Sequence, residues 1–67
     1  MSWEQNLVYA QVSINRSVWA MNAESEDREN YPGPDYIIQK TREAIKYLTK
    51  ALEELTDKHK NLTIKFE

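Results

Sequence analysis

The chain has 67 residues, no cysteine, one histidine and a formal net charge of −2 at neutral pH. A chain of this length can form one domain with a small core, and neither disulfides nor a structural zinc site is available to stabilise it. We therefore expect residues 1 to 67 to form a single domain stabilised by self-association. The charge distribution offers no broad basic face for nucleic acid.

The first 23 residues have the pattern of an amphipathic helix. Ser2 followed three positions later by Gln5 matches a capping box, so the predicted helix begins near Trp3 and ends near residue 23. Its core-facing stripe, at three- and four-residue spacing, consists of Trp3, Leu7, Ala10, Ile14, Val18 and Met21. One partner helix cannot also cover a second stripe, formed by Val8, Val12 and Trp19.

Residues 24 to 35 are predicted to connect two helices. This segment carries five acidic residues against Arg28 alone, and Tyr31-Pro32-Gly33-Pro34 cannot continue a helix. Pro34 suits the first turn of the next helix, where the carboxylate of Asp35 lies at the positive end of the helix dipole.

The second predicted helix, residues 36 to 61, carries the strongest periodicity in the chain. Its mostly apolar seam consists of Ile38, Thr41, Ile45, Leu48, Leu52, Leu55, His59 and Leu62. Ala44 and Ala51 flank this seam seven residues apart, either because small side chains let another backbone approach closely or because alanine favours helix. The polar seam members Thr41 and His59 are able to fix register or oligomeric state.

In the C-terminal tail, residues 62 to 67, apolar and polar residues alternate as in a short strand. Continued helix, an edge strand paired with a second copy, and disorder are the alternatives. We favour a short extended tail that packs its apolar side on a neighbour.

The two helix lengths do not match in an antiparallel hairpin. At about 1.5 Å per residue the second helix is longer than the first by roughly 10 Å, so its end overhangs. We therefore predict an all-α, two-helix antiparallel hairpin with a long second helix, assembling into a symmetric helical bundle. The oligomer interface is predicted to include Val8, Val12, Trp19, Leu55, His59 and Leu62.

Residues able to carry chemistry are few. His59 has no neighbour in sequence that would orient it as a base, so we expect no catalysis, and no metal or cofactor is predicted. The candidate ligand-binding residues at the start and outer side of the second helix are Tyr31, Tyr36, Lys40, Arg42 and Tyr47. They pack the turn, anchor another protein, or hold a small anion near the helix N-terminus.

Two stretches, Val18 to Ala23 and Tyr36 with Arg42-Glu43-Ala44, resemble the helical hairpin of small phage proteins that sequester cyclic-nucleotide signals of bacterial immunity. The two helices come in the reverse order here, and no binding motif matches. The resemblance implies a compact homo-oligomer that holds a small anionic ligand, such as a cyclic nucleotide, between subunits.

The sequence thus predicts a non-enzymatic binding protein acting as a homo-oligomeric protein-interaction module: an adaptor, a regulator or a phage-type inhibitor of another protein. The alternative is the sponge for a small anion. Without a basic and apolar leader or a bilayer-spanning stretch, we expect a cytoplasmic location, in the host if the chain is phage-encoded.

Overall fold

Two long helices connected by a short turn make up the computed structural model, which describes residues 2 to 58. Helix α1 spans Trp3–Glu26, a 3₁₀ turn spans Arg28–Asn30, and helix α2 spans Pro34–Lys58. The helices pack against each other in an antiparallel hairpin, so the predicted all-α hairpin is confirmed. The predicted end of the second helix and the extended tail, residues 59 to 67, lie outside the described residues.

The N-terminal cap of α1 has the predicted chemistry. The Ser2 hydroxyl oxygen accepts a hydrogen bond from the Gln5 backbone N–H at 3.3 Å. At the other end α1 runs three residues beyond the predicted boundary, because a polar segment without apolar periodicity still forms an exposed helical turn. Asp27 caps the end of the helix, and its backbone N–H donates to the carbonyl of Ala23 at 3.0 Å.

The connection depends on a glycine before a proline. Gly33 adopts a φ of 98°, a backbone conformation that side chains with a Cβ rarely adopt. Pro34 is the first residue of α2, two positions earlier than predicted, where its missing N–H costs no helical hydrogen bond. Asp35 lies in the first turn, as the sequence predicts.

Small side chains fill the contact between the helices. The buried residues are Asn6, Ala10, Ser13, Ala20 and Ala23 of α1 with Ala44 and Ala51 of α2. The two backbones approach so closely that the short Ser17 side chain donates a hydrogen bond to the Ile37 carbonyl at 3.2 Å. The close-packing interpretation of Ala44 and Ala51 is therefore confirmed.

Most of the large residues predicted to face the partner helix lie at the edge of this contact and remain partly exposed. Ile45 and Leu52 are each 58% exposed, and Leu7 of the opposing stripe is 39% exposed. The physical reason is rotation about the helix axes. Because the rows of small residues face each other, the apolar stripes turn outward to the flanks of the hairpin. Within the described residues, neither helix is long and apolar enough to cross a membrane.

Candidate functional site

One flank of the hairpin is a surface of aliphatic side chains contributed by both helices. Helical spacing places these residues on the same side of the small-residue contact. This aliphatic face consists of Leu7, Ile14, Val18 and Met21 of α1 with Ile38, Ile45, Leu48 and Leu52 of α2, each 39% to 58% exposed. A groove of about 270 Å³ along its centre is lined by Ile14, Ser17, Val18, Thr41, Ala44, Ile45 and Leu48.

The opposite flank carries aromatic side chains in interhelical pairs. The ring centroids of Tyr9 and Tyr47 are 5.4 Å apart, and those of Trp19 and Tyr36 are 6.2 Å apart with the rings edge to face. Aromatic pairs at such distances contribute stabilising energy in addition to that from burying their apolar area. This aromatic face consists of Val8, Tyr9, Val12, Trp19, Tyr36 and Tyr47.

Three of the six predicted interface residues lie exposed on the aromatic face. Val8 is 55% exposed, Val12 40% and Trp19 51%. Leu55 is half-buried. The remaining two, His59 and Leu62, lie outside the described residues. The aliphatic face was not predicted as a surface, because hydrophobic periodicity predicts that its residues face the partner helix.

Cationic side chains border the aromatic face, and Lys40 is already paired. Its Nζ atom lies 5.4 Å from the centroid of the Tyr36 ring and 3.2 Å from Glu43 Oε1. The Glu43 carboxylate offsets the charge that the sequence analysis assigned to anion binding. Lys46 Nζ lies 6.0 Å from the centroid of the Tyr47 ring, at the outer limit of a cation–π contact.

The five predicted ligand-binding residues do not form one site. Tyr36 and Lys40 lie together, but Tyr47 is eleven positions farther along α2, a rise of about 16 Å. Arg42 points away from both and lines an outer groove that also contains Asp35, Ile38, Gln39, Glu43 and Lys46. The two acidic and two basic side chains of this groove balance in charge, so the groove does not favour the binding of anions.

Tyr31 lies in the connection, beside an acidic side chain. Partial burial raises the pKa of the Tyr31 phenol above its ordinary value, and the neighbouring Glu24 carboxylate raises it further. A negative neighbour of this kind repels anions. The Glu24 carboxylate beside the Tyr31 phenol therefore disfavours an anion at this position.

Two hydroxyl groups connect the helices beside the groove. Ser17 Oγ lies 2.9 Å from Thr41 Oγ1. Because the Ser17 hydrogen goes to the Ile37 carbonyl, the Thr41 hydroxyl is the donor of this second bond. Thr41 is a predicted register-fixing residue, whereas the contact of Ser17 was not predicted. The spacing of the small residues Ala10, Ser13, Ser17 and Ala20 was the available signal.

A polar groove lies at the open end of the hairpin. It is lined by Asn6 of α1 and by Lys50, Glu53, Glu54 and Asp57 of α2. Asn6 is 3% exposed, and its Oδ1 atom has no hydrogen-bond partner among the residues that the structure describes. A buried polar atom left unpaired costs about 1 to 3 kcal/mol.

We expect Asn6→Ala to raise the free energy of unfolding by about 1 to 2 kcal/mol, because the unpaired oxygen is removed and alanine suits both the helix and the small-residue contact. Denaturant unfolding measures the change. Asn15→Ala is the control, since Asn15 is exposed on the same helix and gains helix propensity alone. Equal stabilisation by both variants would show that burial of Asn6 carries no penalty.

Within residues 2 to 58, no three histidine, cysteine or acidic side chains come together as metal ligands. The two faces are thus the most distinctive surfaces of the described chain. No protein-family model matches this sequence, and neither the curated proteins nor the solved structures give a significant match.

Proposed function

We propose that this protein is a non-enzymatic binding protein that acts as a homo-oligomeric protein-interaction module: an adaptor, a regulator or an inhibitor of another protein. The observation that carries the proposal is that small side chains are buried between the helices while large apolar side chains are exposed. Within the described residues every buried side chain is alanine, serine or asparagine, whereas twelve large apolar side chains are exposed. Apolar surface of this extent is typical of proteins that bind other proteins.

The energetics of burial support self-association. Each buried alanine methyl contributes about 0.8 kcal/mol, whereas burying a leucine or isoleucine side chain contributes about 1.5 to 3 kcal/mol. The hairpin alone forgoes most of that second contribution. Small domains that cannot build a sufficient core commonly recover stability by oligomerisation.

The aromatic face supports the second part of the proposal, binding to a different protein. Tryptophan and tyrosine are the residues that most often dominate binding energy at protein interfaces, since each combines a large apolar area with a polar group. Trp19 and Tyr36 are held against each other across the two helices and are therefore preorganised.

The first test is the absolute mass in solution, measured by light scattering coupled to size exclusion over a hundredfold concentration range. We expect a species of at least two chains, each of 7.9 kDa. A helical species with the mass of one chain at every concentration would contradict homo-oligomeric action.

The second test separates partner binding from assembly. Trp19→Ala and Tyr36→Ala should release a captured partner protein while the mass of the oligomer stays unchanged. Asn22→Ala, at an exposed position on the same helix as Trp19, serves as the control that leaves both properties unchanged. Retention of the partner by both aromatic variants would remove the aromatic face from the proposal.

A further inference from the structure

We infer that the aliphatic face is covered by a second copy of this chain, in a two-fold dimer of hairpins, and that the aromatic face stays open. The inference rests on the proposed function and specifies which of the two surfaces serves self-association. It departs from the sequence-based assignment of Val8, Val12 and Trp19 to the oligomer interface.

The area of the aliphatic face meets what a stable dimer needs. Its eight side chains are each 39% to 58% exposed, which corresponds to about four fully exposed aliphatic side chains. At about 100 Å² each, they offer about 400 Å² of apolar surface per chain. Homodimer interfaces are about 65% apolar, so the matching interface buries about 1,200 Å² in total, the lower bound for stable complexes.

The chemistry of this face suits a copy of itself. All eight side chains are aliphatic, and Thr41, which lies between Ile38 and Ile45 in the α2 stripe, is uncharged. Charged residues are depleted at the centres of interfaces, and a two-fold interface sets the same patch against itself without any need for opposite charges. Charged residues also border the aliphatic face, where Asp35 and Arg42 share a groove with Ile38. On the aromatic face, Lys40 and Lys46 lie against the rings of Tyr36 and Tyr47 themselves, which favours a wetter contact with a different molecule.

The shape of the face also fits helix-on-helix packing. The groove between Ile14 and Val18 of one helix and Ile45 and Leu48 of the other is almost wholly apolar. Its volume of about 270 Å³ accommodates a large aliphatic side chain of an opposing helix. Two hairpins joined in this way form a four-helix bundle with alanine contacts within each hairpin and large aliphatic contacts between them.

Single cysteines test the inference directly, because the chain contains no other cysteine. Ile45→Cys places a thiol on the aliphatic face, and Val8→Cys places one at a position of matched exposure on the aromatic face, 58% against 55%. Alkylation by a maleimide is measured on each full-length variant above and below the concentration at which it associates. We expect Cys at position 45 to react at least tenfold more slowly than Cys at position 8 when associated, and equally fast when dilute.

Other occupants of the face give different results. Protection at position 45 that persists on dilution would show that the chain covers its own face, and it would overturn the inference. Equal reactivity of the two positions in an oligomer, or protection at position 8, would overturn it as well. Either of these two results leaves the proposed oligomeric function intact. A wild-type chain that is monomeric at every concentration would contradict both the inference and the proposed function.

Charge substitutions provide an independent measurement. Ile45→Asp should shift the dissociation midpoint at least a hundredfold toward higher concentration, whereas Val8→Asp should leave it within threefold of wild type. Circular dichroism at high concentration checks that each variant is helical. A midpoint unchanged by Ile45→Asp in a folded chain contradicts the inference.

Discussion

Replacing Ala20 with leucine is expected to lower the free energy of unfolding by about 3 kcal/mol, because three extra carbon atoms cannot fit between closely packed helix backbones. Ala20 is 0% exposed, so the leucine side chain has no route to solvent without separating the helices. For a domain of this size the loss corresponds to a fall in melting temperature of roughly 10 to 20 °C. Thermal and denaturant unfolding monitored by circular dichroism measure both quantities.

Asn22→Leu is the control for the same substituent on the same helix. Asn22 is exposed on the outer side of α1, so the free energy of unfolding of the Asn22→Leu variant should stay within about 0.5 kcal/mol of the wild-type value. If Ala20→Leu melts at the wild-type temperature, the helices are not in close contact at that point. The large apolar stripes would then face each other, as hydrophobic periodicity alone predicts.

The helices themselves were predictable because their signals are local. The Ser2 cap, the Gly33-Pro34 step and the apolar periodicity each act within a few residues, and the structure places both helices within three residues of the predicted bounds where it describes them. The end of α1 was predicted too early. The segment after Ala23 lacks apolar residues, and a polar exposed turn gives no periodic signal that distinguishes helix from loop.

The rotation of the helices was not predictable from the same periodicity. Each helix has a row of small residues beside a stripe of large ones, and burying either row gives a consistent hairpin. In this structure the small rows face each other, which brings the Ser17 hydroxyl within 3.2 Å of the Ile37 carbonyl oxygen. One hydrogen bond contributes less than burial of a single leucine, so burial energy alone predicts the large stripes in the core of a lone hairpin. The sequence of a single chain does not show which molecule packs on those stripes in an assembly.

The candidate ligand residues illustrate the same limit for sites. Helical spacing correctly brings Tyr36 and Lys40 together, since they are one turn apart. It could not show that Glu43 pairs with Lys40, nor that the ring of Tyr47 contacts that of Tyr9 on the other helix at a tilted angle. Contacts between helices depend on the rotation and register of the helices, and in this structure both are set by the rows of small residues.

The melting temperature of the wild-type chain is expected to rise with protein concentration, by roughly 10 °C over a hundredfold range. Association couples folding to mass action, and a hundredfold change in concentration is worth about 2.7 kcal/mol of stability. Spread over the unfolding entropy of two chains, that free energy gives the stated shift. The effect is large because, in the part of the chain that the structure describes, no large side chain is fully buried between the helices.

Two copies of the chain joined by a flexible glycine-serine linker provide the matched control. The linker makes association of the two hairpins intramolecular, so the melting temperature of the tandem chain should exceed that of the dilute wild type and stay constant with concentration. A wild-type melting temperature that does not change over the hundredfold range would show that alanine contacts alone fold the hairpin. The exposed aliphatic side chains would then contribute to binding but not to the stability of the fold, and selection for a different partner would have to account for them.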